Sequence, residues 1–360
     1  MKITDIMTRS VDMERIIKNL CRLINYNTTT DEGCSAGCAA YIVECLQNAG
    51  IRATVLGPGH HVYARIGGKS KDTILLHAHM DTASYKRDDN WHVLPDMASI
   101  RKDCICGRGA LDCKGQIAVW MRLMEDTAAA CSSGTLPGLS LAILVTDREE
   151  SGGEDGLAVL MQEHPEMFEN IRLVIGEGGG FPFPYRNGTY YTLQTGELET
   201  DRMSDGEGWG RKPLEDVLQK GIERGYYSEV VLDYAKDWPL ITGRKLDLCI
   251  PVEQLGRFLQ HAPVSMIVKN YGDIFQTALQ SAVPGARLMP WITPGYSDNR
   301  WFRKLGIPTA GFFPLDERNA VSGIHGADEY ISRKSLQLAY GVMTDVLHRL
   351  LSYDHAFSFS

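Results

Sequence analysis

The chain has 360 residues, of which 44% are hydrophobic and 23% charged, and its formal net charge is −8. Such a composition is typical of a globular α/β protein with a large core. The negative charge and the lack of a long basic run argue against a nucleic-acid partner, and no apolar run approaches the roughly 18 residues of a membrane span. Nine irregularly spaced cysteines and a start without a signal-peptide pattern predict reduced thiols in a cytoplasmic protein.

The first half of the chain alternates predicted helices and strands. Residues 11–24 and 36–48 have the apolar spacing of helices, and Gly50 is placed to cap the second one. Short apolar runs predict strands at 52–57, 61–68, 72–81, 140–147, 172–177 and 189–196, with helices at 114–128 and 154–163 between them. This alternation indicates an α/β fold, a three-layer sandwich around a mixed, mainly parallel sheet.

The pattern changes after residue 198. Residues 199–264 begin with a polar, glycine-rich stretch and continue with segments that are mainly helical in their apolar spacing. The α/β character then resumes, and a last helix is predicted at 332–351. We therefore predict one catalytic α/β domain made of residues 1–198 and 265–360, interrupted by a small, largely helical insert at 199–264.

Residues that can bind metal stand where apolar runs give way to glycine or a turn. They are His79 with Asp81, Asp112, the pair Glu149–Glu150, Glu177 and His325. Taken singly, each has an ordinary interpretation, because a lone histidine on a strand is usually a hydrogen-bonded core residue and acidic pairs are common on surfaces. Taken together, two imidazoles and three carboxylates suit a pair of divalent ions, above all zinc. A shared carboxylate is then needed between ions that lie about 3.5–4 Å apart.

Residues next to these candidate ligands in the sequence could support them. Glu149 stands beside Glu150 and could take a proton from a water molecule. Asp81 lies two residues beyond His79, on the same strand face, and could hold the second nitrogen of that imidazole. His77 shares this face but is not needed by a site that already has five ligands. Cys113 follows Asp112 and is interpreted as a packing residue.

The motifs around these residues have a specific order. They are HMD at 79–81, Trp91, GRGALDCK at 107–114, EESGG at 149–153, EGGG at 177–180, SDNRWFRKLGIP at 297–308 and HGADE at 325–329. This set resembles the two-zinc metallopeptidase family that includes aminoacylases, carboxypeptidases and succinyl-diaminopimelate desuccinylases. The resemblance extends over residues 10–197 and 273–351.

The resemblance implies a role for each matching position. Asp112 would bridge two zinc ions, His79 and Glu177 would complete one site, and Glu150 and His325 would complete the other. Glu149 would be the general base and Asp81 would orient His79. A cis peptide bond is implied between Asp112 and Cys113. The implied reaction is hydrolysis of an amide bond in a small molecule, an N-acyl amino acid or a short peptide with a free carboxylate.

The sequence departs from the family in two places. Arg148 stands where an aspartate usually precedes the Glu–Glu pair. Its charge should lower the pKa of Glu149 only slightly, because the side chains of adjacent strand residues point to opposite faces. The insert is shorter than usual and lacks the segment with the lid histidine, so the family's usual dimer is not expected, and we predict a monomer or a non-standard oligomer. The substitute oxyanion donor could be Arg211, Arg244, Arg257 or His261.

Other interpretations remain open at this point. Arg300 could bind a substrate carboxylate or form a structural ion pair. Acyl transfer or amide formation in a biosynthetic pathway could use the same metal site if the lid excludes water. A non-catalytic metal-binding or ligand-binding homologue is the third possibility, although such a protein would have no chemical need for Glu149.

Overall fold

A computed structural model describes residues 13–86, 90–185, 188–197, 211–212, 250–251, 264–293, 297–319 and 323–352. The helices are α1 (Met13–Ile24), α2 (Ala36–Asn48), α3 (Lys114–Ser132), α4 (Leu157–Glu163), α5 (Val264–Ala282), α6 (Asn299–Lys304) and α7 (Arg333–Leu351). The strands of the first half are β1 (Ala53–Leu56), β2 (His61–Ile66), β3 (Thr73–His79), β4 (Ser99–Arg101), β5 (Cys104–Cys106), β6 (Ser140–Thr146) and β7 (Ile171–Gly176). The remaining strands are β8 (Pro182–Tyr185), β9 (Gly188–Glu197), β10 (Arg211–Lys212), β11 (Ile250–Pro251), β12 (Arg287–Thr293), β13 (Thr309–Gly311) and β14 (Tyr330–Ser332).

The main sheet has nine strands, in the order β1-β2-β6-β3-β7-β13-β9-β12, with β8 paired to β9. Its centre is parallel, because β3 runs parallel to both β6 and β7, and β7 runs parallel to β13. Strands β1 and β2 form an antiparallel edge, and β9 pairs antiparallel with β13 but parallel with β12. The predicted mixed sheet with a parallel core is confirmed.

Helices cover both faces of this sheet. All seven residues of β3 are buried, as expected for a central strand that is covered on both sides. Leu76 packs into the larger hydrophobic cluster, which includes buried residues of α1, α2, α3, α5 and α7. Its neighbour Leu75 points the other way, into a smaller cluster with α4 and α6 residues such as Leu160 and Phe302. The three-layer sandwich is therefore confirmed.

Most of the predicted helices and strands are present with shifted ends. Gly50 has φ +76°, the left-handed conformation expected of a residue that terminates α2. Helix α4 begins at Leu157, later than predicted, because residues 149–156 form turns. Strand β12 and the three-stranded sheet β14-β5-β4 were not predicted. In that small sheet, Tyr330 pairs with Cys106 and brings the HGADE motif next to the GRGALDCK motif.

The insert mostly lies outside the described residues. Within it, Arg211–Lys212 and Ile250–Pro251 pair as a short antiparallel ribbon, and α5 begins at Val264, the last residue assigned to the insert. Strands β9 and β12, which precede and follow the insert in the chain, are neighbours in the main sheet. Among the helices that the structure describes, none has the length and hydropathy needed to cross a membrane.

Candidate metal centre

The parallel strands at the centre of the sheet end at one edge, and three predicted ligands lie there. His79 is the last residue of β3, Glu150 follows the end of β6, and Glu177 follows β7 directly. Since β3 pairs with both neighbours in parallel, these side chains are brought together. This edge is where open α/β sheets place their binding sites.

Asp112 lies between the two predicted histidine ligands. Its Oδ1 is 3.2 Å from Nε2 of His79, and its Oδ2 is 3.0 Å from Nε2 of His325. Glu177 Oε2 is 3.3 Å from His79 Nε2, and Glu150 Oε1 is 3.1 Å from His325 Nε2. The structure therefore brings the five residues into two groups that share Asp112. One contains His79, Asp112 and Glu177 together with Cys113, the other Asp112, Glu150 and His325, and within each the ligand atoms lie within 4.8 Å of one another. Glu149 lies equally close to His79 and Glu150, in a third group.

The donor chemistry of these groups fits divalent metal ions. His79 is buried among carboxylates, an arrangement that costs free energy unless the charges are compensated. Asp81 accepts a hydrogen bond from the Glu150 N–H at 2.9 Å through Oδ2, while its buried Oδ1 has no hydrogen-bond partner among the described residues. That oxygen is 3.5 Å from His79 Nδ1, whose shorter contact, 2.9 Å, is to the carbonyl oxygen of Asp81 itself. Asp81 thus lies behind His79, and its role in orienting that ring stays a prediction.

The side chains of the centre also bind protons tightly. Hydrogen bonds to Asp112 and Glu150 raise the pKa of His325 to about 10. Burial lowers the pKa of His79, but the neighbouring carboxylates Glu177 and Glu149 and the hydrogen bond to Asp112 outweigh it, and the net shift is well above the usual value. Burial raises the pKa of Glu177 to about 7. Protons therefore occupy positions from which a bound metal ion would displace them.

Glu149 is buried beside the two groups. Its Oε2 is 3.9 Å from His79 Nε2, and burial raises the pKa of its carboxyl group well above the ordinary value. A carboxylate with raised proton affinity at this position can act as a general base. Arg148, by contrast, donates a hydrogen bond to the Asp155 carbonyl oxygen and is exposed.

Hydrogen bonds and packing hold two other residues near the centre. His77 Nε2 is 3.1 Å from Thr146 Oγ1, and its ring packs edge-on against Phe302 at 5.1 Å, outside both ligand groups. Cys113 exchanges hydrogen bonds with the backbone of His79, and burial raises the pKa of its thiol. The peptide bond between Asp112 and Cys113 is cis, as predicted.

Arg300 makes the contacts of a structural ion pair. Its Nη2 donates to the Gly152 carbonyl oxygen and lies 3.2 Å from Glu154 Oε1. The guanidinium is thus directed at the turn after Glu149, and Arg300 is not among the residues that line the cleft. Of the proposed oxyanion donors, Arg244, Arg257 and His261 lie outside the described residues, and for Arg211 only the backbone is described.

The centre opens into a cleft of about 680 Å³. The cleft has an apolar wall, which is formed by Leu111, Phe181, Phe313, Leu315 and Ile324. Gln194 also lines the cleft, and its Oε1 accepts hydrogen bonds from Asn299 Nδ2 at 2.7 Å and Arg303 Nη2 at 2.8 Å. No sequence motif pointed to Gln194; its only signal was its position near the end of a predicted strand, five residues before the insert.

Among known proteins, the chain is similar in sequence to a dipeptidase and to desuccinylases. A cysteinylglycine-S-conjugate dipeptidase of Corynebacterium striatum is 35% identical over 107 residues, 30% of this chain and 23% of the relative. A succinyl-diaminopimelate desuccinylase of Delftia acidovorans is 26% identical over 174 residues, 46% of this chain and 44% of the relative. The aligned stretches thus span less than half of the length of these relatives.

Solved structures share the fold over nearly the whole chain. Human carnosine dipeptidase 1 has a TM-score of 0.66 at 11% identity, covering 98% of this chain and 100% of that chain. A di-peptidase of Saccharomyces cerevisiae has a TM-score of 0.67 at 15% identity, covering 98% and 99%. A metallo-carboxypeptidase of Sulfolobus solfataricus has a TM-score of 0.65 at 16% identity, covering 92% and 98%.

The family assignment rests on a match to most of the chain. The pattern of peptidase family M20/M25/M40 matches residues 75–349, from within β3 to within α7. This span includes every predicted metal ligand as well as Glu149. It confirms the resemblance read from the motifs, and the chain therefore belongs to peptidase family M20/M25/M40.

Proposed function

We propose that the protein is a zinc-dependent hydrolase that cleaves the amide bond of an N-acyl amino acid or a short peptide. The observation that carries this proposal is the position of Asp112, whose two carboxylate oxygens lie 3.2 Å and 3.0 Å from the imidazoles of His79 and His325. One carboxylate placed in this way can serve two ions. Relatives named dipeptidase and desuccinylase support the reaction class.

Two sets of residues would hold the ions. His79, Glu177 and Asp112 form one set, and Glu150, His325 and Asp112 form the other. Imidazole nitrogens combined with carboxylate oxygens suit zinc. When bound, two such ions would acidify a coordinated water and polarise the carbonyl group of the substrate.

Side chains of the protein would transfer the proton and orient a metal ligand. Glu149 is buried and has a raised pKa, so it can take the proton of the attacking water and return it to the leaving nitrogen. Asp81 lies behind His79 and is proposed to keep the ring in the tautomer that offers Nε2 to the centre.

The cleft favours a substrate with an apolar group. Its apolar wall, Leu111, Phe181, Phe313, Leu315 and Ile324, adjoins the carboxylates of the centre, and neither lysine nor arginine is found among its described lining residues. An apolar acyl chain or side chain gains free energy when it leaves water at such a wall.

A mass-spectrometric screen of the zinc-loaded protein tests this function. The panel contains dipeptides, N-acyl amino acids and acyl-amine conjugates, with pairs that differ only in an apolar or a succinyl acyl chain. We expect cleavage, with the apolar member of each pair preferred by about tenfold or more. The Glu149→Gln variant is the control for contaminating activity.

Other results of the screen would contradict parts of the proposal. Preference for the succinyl substrates would contradict the apolar specificity. A new amide formed only when an amine is added would identify acyl transfer. Zinc binding without turnover of any compound would favour a binding protein.

Zinc binding is expected to release protons. Both imidazoles favour their protonated form before zinc is added, since the pKa of His79 is raised well above its usual value and that of His325 to about 10. Since zinc binds neutral imidazole, these protons must leave, and zinc affinity should rise as the pH increases from 6 towards 10. Calorimetry at pH 7 in buffers of different ionisation enthalpy should show about two to three protons released per protein, because the ligand Glu177, whose pKa is raised to about 7, also loses part of a proton. His325→Ala should release about one proton fewer, and a heat independent of the buffer would contradict the prediction.

A further inference from the structure

Glu329, the last residue of the HGADE motif, is completely buried although it belongs to neither ligand group. Its Oε1 accepts hydrogen bonds from two backbone N–H groups, that of Leu111 at 2.8 Å and that of Asp112 at 3.0 Å. Its Oε2 accepts a third from the N–H of Gly109, at 3.0 Å. One carboxylate thus fixes three peptide groups of the turn that ends in the shared ligand Asp112.

Arg108 connects Glu329 to the segment that contains His325. Its Nη1 donates to Glu329 Oε2 at 2.9 Å, and its Nη2 donates to the carbonyl oxygen of His325 at 3.1 Å. Both members of the pair are buried, with 3% exposure for Arg108 and 0% for Glu329. The ion pair therefore joins the backbone of Asp112 to the backbone of His325.

The segment around His325 has a backbone that needs external support. His325 has φ +61° and Asp328 has φ +54°, in the left-handed region that side chains other than glycine rarely adopt. Asp328 accepts hydrogen bonds from the N–H groups of His92 and Val93, and the Glu329 carbonyl oxygen accepts one from Gly107 N–H at 2.9 Å. Hydrogen bonds thus attach this segment to residues 92–93 through Asp328 and to Gly107 through the Glu329 carbonyl group.

We propose that Glu329, paired with Arg108, is a positioning residue that sets the separation between Asp112 and His325. The proposal rests on the metal centre of the proposed function, since the separation matters only if one carboxylate serves two ions. Stability alone is a poor reason for this pair, because a buried ion pair is often no more stabilising than apolar residues of similar size. An apolar residue, however, could not accept the three N–H groups, and unpaired buried N–H groups are costly.

The test compares metal binding by Glu329→Gln with binding by the wild type. A glutamine side chain has one acceptor oxygen, so it can satisfy only part of the four hydrogen bonds and directs N–H donors at the others. We expect zinc affinity, measured by competition with a chromophoric chelator, to fall about 10–100-fold. The visible absorption spectrum of the Co²⁺-loaded variant should also change, because it reports the geometry of the ligands.

Glu125→Gln is the matched control. Glu125 is also a buried carboxylate, with Oε1 2.7 Å from Arg15 Nη2, but it lies on α3, eleven residues beyond Lys114 and therefore about 16 Å along the helix axis. We expect this variant to lose thermal stability and to keep the zinc affinity and the Co²⁺ spectrum of the wild type. The comparison separates positioning from general stability.

The outcomes are distinct. A folded Glu329→Gln variant with the zinc affinity and Co²⁺ spectrum of the wild type would overturn the proposal. If that variant does not fold, Glu329→Asp decides, because it keeps the charge beside Arg108 but is too short to reach all of its partners. Its affinity should then fall by a smaller factor and its spectrum should shift, whereas wild-type values would overturn the proposal. Wild-type protein that binds no zinc would instead overturn the metal centre, and this inference with it.

Discussion

Replacing Glu149 by glutamine is expected to lower kcat by about 10²–10⁴-fold with little change in KM. Glutamine has nearly the same shape, but its amide cannot accept the proton of the attacking water. Glu149 belongs to neither shared-ligand group around Asp112, so the variant should still bind two zinc ions per chain. Steady-state kinetics on a cleaved substrate from the panel, together with metal analysis, would measure both quantities.

Glu154→Gln is the matched control for this variant. Glu154 lies on the same turn, is largely exposed and pairs with Arg300, so its replacement should leave kcat within a few-fold of the wild type. A Glu149→Gln enzyme with an undiminished kcat would show that another group moves the proton. Loss of zinc from that variant would show that Glu149 is a ligand rather than a base.

Replacing Asp112 by asparagine is expected to remove one of the two ions. Two divalent ions about 4 Å apart repel each other by about 16 kcal/mol at an effective dielectric constant of 20. Glu150 and Glu177 each offset part of this repulsion at one ion, whereas the Asp112 carboxylate contacts the imidazoles of both groups and can offset it at both, and asparagine has no such charge. Zinc content should therefore fall from two ions per chain to one. Activity should fall by about a thousandfold or more, which corresponds to about 4 kcal/mol of lost transition-state stabilisation.

Asp345→Asn provides the control for Asp112→Asn. Asp345 pairs with Arg349 within α7, and its variant should keep both ions. Metal analysis by mass spectrometry after removal of loosely bound zinc would count the ions. Two ions in Asp112→Asn would contradict the bridging role, even if activity were lost.

The central part of the fold was predictable because its signals are local. Strands β3, β6 and β7 are apolar runs bounded by glycine or acidic residues, and α3 and α7 have regular apolar spacing. The small sheet β14-β5-β4 could not be predicted, since each of its strands has three residues. The pairing of β14 with β5 depends on contacts between segments more than 200 residues apart.

In the candidate site, too, the local motifs were predictable and the contacts between distant segments were not. His79, Asp112, Glu150, Glu177 and His325 were proposed from short motifs, and the structure places them together. The sequence could not show that Arg108 and Glu329 meet, although each lies inside a motif, because no local pattern connects the two motifs. For Arg300 the sequence left two interpretations, and the contacts with Glu154 and the Gly152 carbonyl favour the ion pair.

The two ligand groups are completed at different moments of chain synthesis. His79, Asp112 and Glu177 precede the insert, whereas His325 follows it and is separated from Asp112 by more than 200 residues. A nascent or truncated chain that stops before the insert has one full ligand triad and an incomplete second one. Occupancy of the second position would therefore report that translation has passed the insert and that the C-terminal part has joined the sheet.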